Sequence, residues 1–258
     1  MESILTEKNG NVAIIRLNRP EKFNSFNREM ALDLIRKLNE AGKDPAIRSV
    51  LLTGVGKAFC AGQDLSEAID PNGPGIKKIV QEHYNPVILT IRNLVKPVIA
   101  AVNGVAAGAG ANIALACDIV LAAQSASFIQ AFSKIGLIPD SGGTYTLPRL
   151  VGLQLASALM ITGDKLQAED ARSFGMVYRV FADDELMPSA LKLAAQVAEM
   201  PTSAIALTKD LLNKSFANTL VQQLDLEGEF QVRAAAGYDY NEGVKAFLEK
   251  RKPVFRGE

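Results

Sequence analysis

Two rhythms of apolar residues alternate along the chain. Compact runs at 12–17 and 47–53, each bounded by turn material, predict buried strands. Between them Met30, Leu34, Leu38 and Ala41 recur at helical spacing behind Asn27, whose short polar side chain suits a helix start, and Gly42 supplies a stop. Asp33 and Lys37 are expected to pair on the outer face of that helix. Further strands are predicted at 98–102, 119–123, 127–130 and 176–180, with helices at 79–92, 108–116, 154–161 and 167–174.

Between these elements, residues 54–64 read as a loop entering a short helix near Leu65, capped by Asp64 or Ser66. Pro71, Gly73, Pro74 and Gly75 mark 70–75 as a mobile surface connection. From Glu185 onward strand patterns stop and helices are predicted near 186–197, 204–212, 220–236 and 241–250. The alternation favours an α/β class, divided into a core over 1–194 and a helical region over 195–258 that closes a pocket, mediates assembly or simply covers the core.

The 21 uncharged residues from Pro97 to Cys117 are long enough to cross a bilayer, but eight alanines, three glycines, Asn103 and Asn112 argue against it. The turn signal Asn103-Gly104 splits that run into a strand and a helix. Composition adds exclusions: 48% hydrophobic and 22% charged residues over 258 positions give ample core material. The 28 basic and 28 acidic residues cancel, so bulk charge gives no support for a nucleic-acid partner. Two cysteines, Cys60 and Cys117, and no secretory leader predict a reducing, cytoplasmic setting. The single histidine, His83, reads as a helix-surface or pocket residue; with the cysteines it makes neither a metal cluster nor a triad.

Three places could carry chemistry. The passages Cys60-Ala61-Gly62-Gln63-Asp64 and Asn103 through Ala111 are small-residue loops running into helices, where main-chain N–H groups are left without acceptors. Two such amides, if they converge, form an oxyanion hole; tight packing is the alternative. Neither passage has a phosphate-loop or dinucleotide spacing. Asp140, in Gly136-Leu137-Ile138-Pro139-Asp140-Ser141-Gly142-Gly143, either caps the next turn or serves as a general acid/base, with Leu137 or Ile138 desolvating it. In the tail, Lys245, Lys250, Arg251 and Lys252 surround Phe247 and Phe255, which fits an ordinary basic helix end or a phosphate contact.

These motifs resemble, over nearly the full length, the crotonase, or enoyl-CoA hydratase/isomerase, superfamily. The resemblance rests on Asn18-Arg19-Pro20, Phe59 through Leu65, Lys96-Pro97 through Asn103-Gly104, and Gly136-Leu137-Ile138-Pro139, in that order. Ala131-Phe132-Ser133-Lys134, Asp140 and Asp239-Tyr240-Asn241-Glu242-Gly243-Val244 point to its phenylacetate-pathway branch, which isomerises 1,2-epoxyphenylacetyl-CoA to an oxepin-CoA. The resemblance implies a spiral of β-β-α units and a helical C-terminal region that assembles a trimer or a dimer of trimers.

It further implies that the amides of Gln63 and Ala109 form a thioester oxyanion hole and that Asp140 moves protons. Contacts to CoA are implied at Lys22, Ala61, Gln63, Asp64 and Leu65, with Phe247 and Lys250 reaching the CoA of a neighbouring subunit, and an acyl pocket at Asn112, Phe132 and Ile138. CoA would be part of the substrate; no prosthetic group, metal, nucleic acid or membrane is implied. The two glutamates that hydratases use are replaced by Asn112 and Phe132, which disfavours water addition. A fatty or aromatic enoyl-CoA double-bond isomerase, a hydratase and a noncatalytic CoA-thioester binding protein are the alternatives.

Overall fold

A computed structural model describes residues 2–258. In chain order it contains β1 (Ile4–Asn9), β2 (Val12–Leu17), α1 (Arg28–Lys43), β3 (Ser49–Gly54), β4 (Ala58–Cys60), α2 (Leu65–Ala68), α3 (Gly75–Lys78) and α4 (Asn85–Asn93). Next come β5 (Val98–Val102), β6 (Val105–Ala107), α5 (Ala109–Ala116), β7 (Ile119–Ala123), β8 (Ser127–Ile129), α6 (Gly143–Val151), α7 (Leu153–Thr162), β9 (Lys165–Gln167), α8 (Ala168–Ser173) and β10 (Arg179–Phe181). Four helices finish the chain: α9 (Leu186–Ala198), α10 (Thr202–Ser215), α11 (Leu220–Ala235) and α12 (Tyr238–Leu248).

The strands alternate between two sheets. One has the order β1-β2-β3-β5-β7-β10 and the other β4-β6-β8-β9. Thus β3 and β5 hand the chain to β4 and β6 in the second sheet before helices return it, and after β7 and β8 the chain passes α6, α7 and β9 of the second sheet before α8 leads back to β10, the expected β-β-α spiral. β5 is buried at all five positions, as a parallel strand covered on both faces must be. The uncharged run 97–117 therefore resolves into β5, β6 and α5 in the protein core, and no helix among the described residues is long and apolar enough to cross a membrane.

Helix α1 starts as its pattern predicts: the Asn27 side chain accepts from the Met30 N–H at 3.0 Å, and Met30, Leu34, Leu38 and Ala41 are all buried. The helix runs one residue past Gly42, and the expected Asp33–Lys37 pair is not made. Asp33 instead pairs with Arg36, while Lys37 lies 3.6 Å from Glu40. Strand β1 escaped the pattern because four of its six residues are exposed; it is an edge strand held by antiparallel pairing with β2. Strands β4, β6 and β9 are three residues each, too short for a visible period. The strand expected at 176–180 is displaced to Arg179–Phe181, and the loop expected at 54–64 contains β4.

Helix α9 packs on β3, β5 and β7 and runs across position 194. Helix α10 is fastened to the core by Lys209, whose ammonium donates to the Asp118 carboxylate and to the Ile91 carbonyl, both at 2.8 Å. Helices α11 and α12 lie outside it and carry exposed Leu220, Val221, Leu224, Val232, Tyr240, Phe247 and Leu248.

Candidate active site

The two small-residue passages meet. Gly62 has φ +94°, and a Cβ there would lie 2.9 Å from the Ala107 carbonyl oxygen and 3.6 Å from the Ala109 nitrogen. Only glycine accepts both that dihedral and that approach. The N–H of Phe26 donates to the Gly62 carbonyl at 2.7 Å and the N–H of Asp64 to the Phe26 carbonyl at 2.8 Å. Because neighbouring residues of an extended segment turn their main-chain groups to opposite sides, the Gln63 N–H points away from Phe26. It finds no acceptor among the described residues, and neither does the N–H of Ala109, the first residue of α5.

Cys60 provides the wall behind these amides. It is fully buried, and a Cβ on Gly110 would fall 2.3 Å from its carbonyl oxygen. Burial pushes its thiol up to about 12, so Cys60 packs and is no nucleophile at neutral pH.

Asp140 approaches from the turn before α6. Ser141 (φ +51°) and Gly142 (φ +71°) both hold left-handed backbone there, and the Ser141 hydroxyl donates to Asp140 Oδ1 at 2.8 Å. The turn is fixed to α5 by Asn112, whose Nδ2 donates to the Asp140 main-chain carbonyl at 2.8 Å, while Asn112 Oδ1 accepts from Gln130 Nε2 at 2.9 Å. Gly143 permits this contact, since a Cβ there would lie 2.4 Å from Asn112 Nδ2. Burial raises the Asp140 pKa above the ordinary aspartate range, only partly offset by the Ser141 hydrogen bond. Leu137 and Ile138, expected to desolvate it, are exposed (Ile138 by 82%). The turn that carries it packs elsewhere: Gly142 lies beside Ile88 of α4 and Gly143 against Asn112 of α5. The Phe132 ring is buried beside Gly108, at the head of α5.

Two residues without a sequence signal complete the cluster. The Tyr84 hydroxyl donates to Gln63 Oε1 at 2.9 Å, and Gln63 Nε2 donates to Glu67 Oε2 at 2.9 Å. Glu67 also accepts the Arg28 N–H at the start of α1. Tyr84 ends a wide helical turn, Ile79–Tyr84, in which His83 and Tyr84 are both buried. His83 is thus an interior residue instead of a helix-surface one. Its Nε2 lies 3.3 Å from the Arg28 guanidinium and burial lowers its pKa.

Among the other expected residues, Ala61 is half-buried beside Gly62, Leu65 is exposed at the start of α2, and Lys22 is exposed on a single helical turn, Pro20–Lys22. The Asp64 side chain is already occupied: it accepts from the Ser66 N–H and hydroxyl and pairs with Arg19 at 2.8 Å. Burial alone would raise its pKa, but those hydrogen bonds bring it below the ordinary value. Phe247, 83% exposed, lines a groove of about 470 Å³ with Tyr240, Val244 and Phe255. That groove shares no residue with Gln63, Ala109 or Asp140, and Lys250, two residues beyond α12, holds left-handed backbone.

Free amides can stabilise a carbonyl oxygen as it gains negative charge, and a half-buried carboxylate of raised pKa can take a proton from or return one to a neighbouring carbon. Residues 7–258 match the family model described as enoyl-CoA hydratase/isomerase. The chain is 49% identical to the 1,2-epoxyphenylacetyl-CoA isomerase of Escherichia coli (strain K12), covering 100% of both chains. It is 37% identical to the mitochondrial enoyl-CoA hydratase of Pongo abelii, covering 100% of this chain and 89% of that one. A crystal structure of an enoyl-CoA hydratase from Polaromonas sp. JS666 superposes with a TM-score of 0.91 at 38% identity, over 98% of this chain and 99% of that one.

Proposed function

The chain belongs to the enoyl-CoA hydratase/isomerase family, and we propose that it isomerises an acyl-CoA thioester, with 1,2-epoxyphenylacetyl-CoA as substrate and an oxepin-CoA as product. The observation that carries this reading is one half-buried carboxylate of raised pKa, Asp140, on a turn tied by Asn112 to the helix that begins with the acceptor-free Ala109 amide, with Asn112 and Phe132 contributing no second carboxylate. Identity of 49% over the whole chain to an isomerase of that substrate supports the choice of acyl group.

In this scheme the thioester oxygen accepts from the Gln63 and Ala109 amides. Asp140 takes a proton from the carbon next to the carbonyl, and the charge moves onto the oxygen as an enolate. The carbon–carbon bond shared by epoxide and six-membered ring breaks as the seven-membered ring forms. Asp140 returns the proton to a ring carbon, so no atom is gained or lost. The same carboxylate serves a β,γ to α,β double-bond shift, which removes and returns one proton in the same way. Water addition asks for groups that both activate water and deliver a proton, and an amide at 112 and a ring at 132 supply neither.

CoA is part of the substrate; Lys22, Ala61, Gln63, Asp64 and Leu65 lie along its route, Ile138 edges the acyl pocket with Asn112 and Phe132, and residues 195–258 form the assembly region. The exposed apolar residues of α11 and α12 support a trimer or dimer of trimers, in which Phe247 and Lys250 serve the neighbouring subunit's CoA. The test is parallel product analysis with 1,2-epoxyphenylacetyl-CoA and a β,γ-enoyl-CoA. Oxepin-CoA as the faster product is expected, whereas hydration products alone would overturn the reading.

A further inference from the structure

The Gln63 side chain is held at both ends although its N–H is the group the chemistry uses. Oε1 accepts from Tyr84 at 2.9 Å, and Nε2 donates to Glu67 at 2.9 Å. Each holder is itself anchored. Tyr84 is 1% exposed and its ring lies 6.1 Å from that of Phe26, the residue whose main chain brackets Gln63 through Gly62 and Asp64. Glu67 accepts the Arg28 N–H through both carboxylate oxygens, at 2.9 and 3.2 Å, so it is tied to the first turn of α1. Tyr84 arrives from the wide turn Ile79–Tyr84, an insertion into helical geometry that recurs at functional sites. Burial first, then the negative groups around it, keeps the phenol protonated far above neutral pH, so it remains a donor.

We propose that Tyr84 and Glu67 are positioning residues that clamp the Gln63 side-chain amide and thereby fix the orientation of the Gln63 N–H toward the thioester oxygen. This rests on the thioester reading above. The Phe26 N–H holds this peptide at its Gly62 carbonyl; with a glycine of φ +94° before it, the tilt left about that hydrogen bond is limited from the other end by the held Gln63 side chain. An oxyanion donor acts by direction as well as presence, and losing one outright costs about 10² to 10³ in rate. Tilting it is expected to cost less, on the order of tenfold. The donor is worth more to the charged oxygen of the enolate than to the neutral carbonyl, so the loss is expected to fall on kcat more than on KM.

The experiment compares Tyr84→Phe, Glu67→Gln and Glu67→Ala with the full chain, using steady-state kinetics and the absorption shift of a bound arylacryloyl-CoA, whose carbonyl polarisation reports the donors directly. Tyr84→Phe and Glu67→Ala are expected to lower kcat on the order of tenfold with KM within about twofold and to shrink the red shift. Glu67→Gln keeps an acceptor for Gln63 Nε2 and is expected to restore both. Turnover and red shift unchanged in folded Tyr84→Phe would overturn the inference. So would a loss in Glu67→Gln equal to that in Glu67→Ala. If the unaltered protein polarises no acyl-CoA analogue at all, the thioester reading fails first, so the two failures are separable.

Discussion

Asn112 on α5 donates its side-chain amide to the main-chain carbonyl of Asp140 at 2.8 Å, so the helix that presents the Ala109 amide also holds the turn that presents the carboxylate. In the proposed scheme this hydrogen bond helps to set the separation between the Ala109 amide and the proton carrier. Replacing Asn112 with Asp keeps the shape and the acceptor for Gln130 but turns the donor into a second acceptor facing the Asp140 carbonyl. Asn112→Asp is expected to lower kcat by about one to two orders of magnitude and to cost roughly 1–3 kcal/mol of stability. Steady-state kinetics and urea unfolding check both.

Asp140 must be ionised to accept a proton, and burial lifts its pKa above the ordinary 3.8. Activity is therefore expected to rise with pH through that raised value and then to level. For stability the sign is opposite. The folded state holds the proton more tightly than the unfolded chain, so stability falls as pH rises from near 3.8 through the folded pKa. Asp140→Asn should remove the acid limb of the kcat/KM profile together with roughly 10²–10⁴ of the rate. Its neutral-pH melting temperature should equal or exceed that of the unaltered protein. Unchanged turnover in folded Asp140→Asn would remove it as the proton carrier.

Gly62→Ala tests the joint between the two passages. The added methyl would meet the Ala107 carbonyl at 2.9 Å in a backbone conformation that alanine disfavours. Separation of Gln63 from Ala109 should reduce kcat by about 10²-fold, the cost of an oxyanion donor, while circular dichroism keeps its native shape. Gly10 is the control: φ is +57° but nothing lies within 4 Å, so Gly10→Ala carries the backbone strain without the clash and should leave kcat unchanged.

The long-period parts of this molecule were legible in its sequence. Helix α1 with its Asn27 cap, strands β2, β5 and β7, and the strand-then-helix reading of the uncharged run all depend on patterns longer than one turn of structure. What stayed hidden is short or set by partners distant in sequence. Strand β4 spans three residues between glycines, and β1 is polar because it sits at an edge. Tyr84 and His83 were invisible as neighbours in the interior because the wide turn at 79–84 breaks the 3.6-residue period that separates buried from exposed positions. Asp140 illustrates the remaining gap. Its sequence neighbours Leu137 and Ile138 are exposed, whereas the turn that carries it packs against Ile88 of α4 and Asn112 of α5, which are distant in sequence. For Gln63 and Ala109 the residue types carry no signal of their own, and only the folded chain shows why their N–H groups lack acceptors.

Beyond α12 the chain doubles back along its own helical region and is fastened by two carboxylates. Asp239 accepts the N–H groups of Arg256 and Gly257 at 2.6 and 2.8 Å. Glu242, 8% exposed, accepts both terminal nitrogens of Arg251 at 2.6 and 2.9 Å and the Val254 N–H at 2.8 Å. The Arg251 hydrogen bonds, then the Val254 N–H, pull the Glu242 pKa from 4.5 down to about 2. A carboxyl with a depressed folded pKa stabilises the fold fully above its unfolded value and loses that contribution as pH falls through the folded one. The window is therefore from about 4.5 down to about 2. Glu242→Gln keeps an acceptor for Val254 but abolishes the titration. The gap in urea midpoint between the unaltered protein and Glu242→Gln is expected to be constant from neutral pH to about 4.5 and to shrink steadily below it. Arg48 donates to the Phe255 carbonyl at 2.7 Å and to the Met200 carbonyl at 2.7 Å, so it ties the tail to the loop between α9 and α10. Loosening at Glu242 should accordingly reach the start of α10, raising hydrogen exchange of the 254–257 amides first. A gap that keeps its full size at the lowest pH where both proteins still fold would show that Arg251 does not hold Glu242 in its charged form.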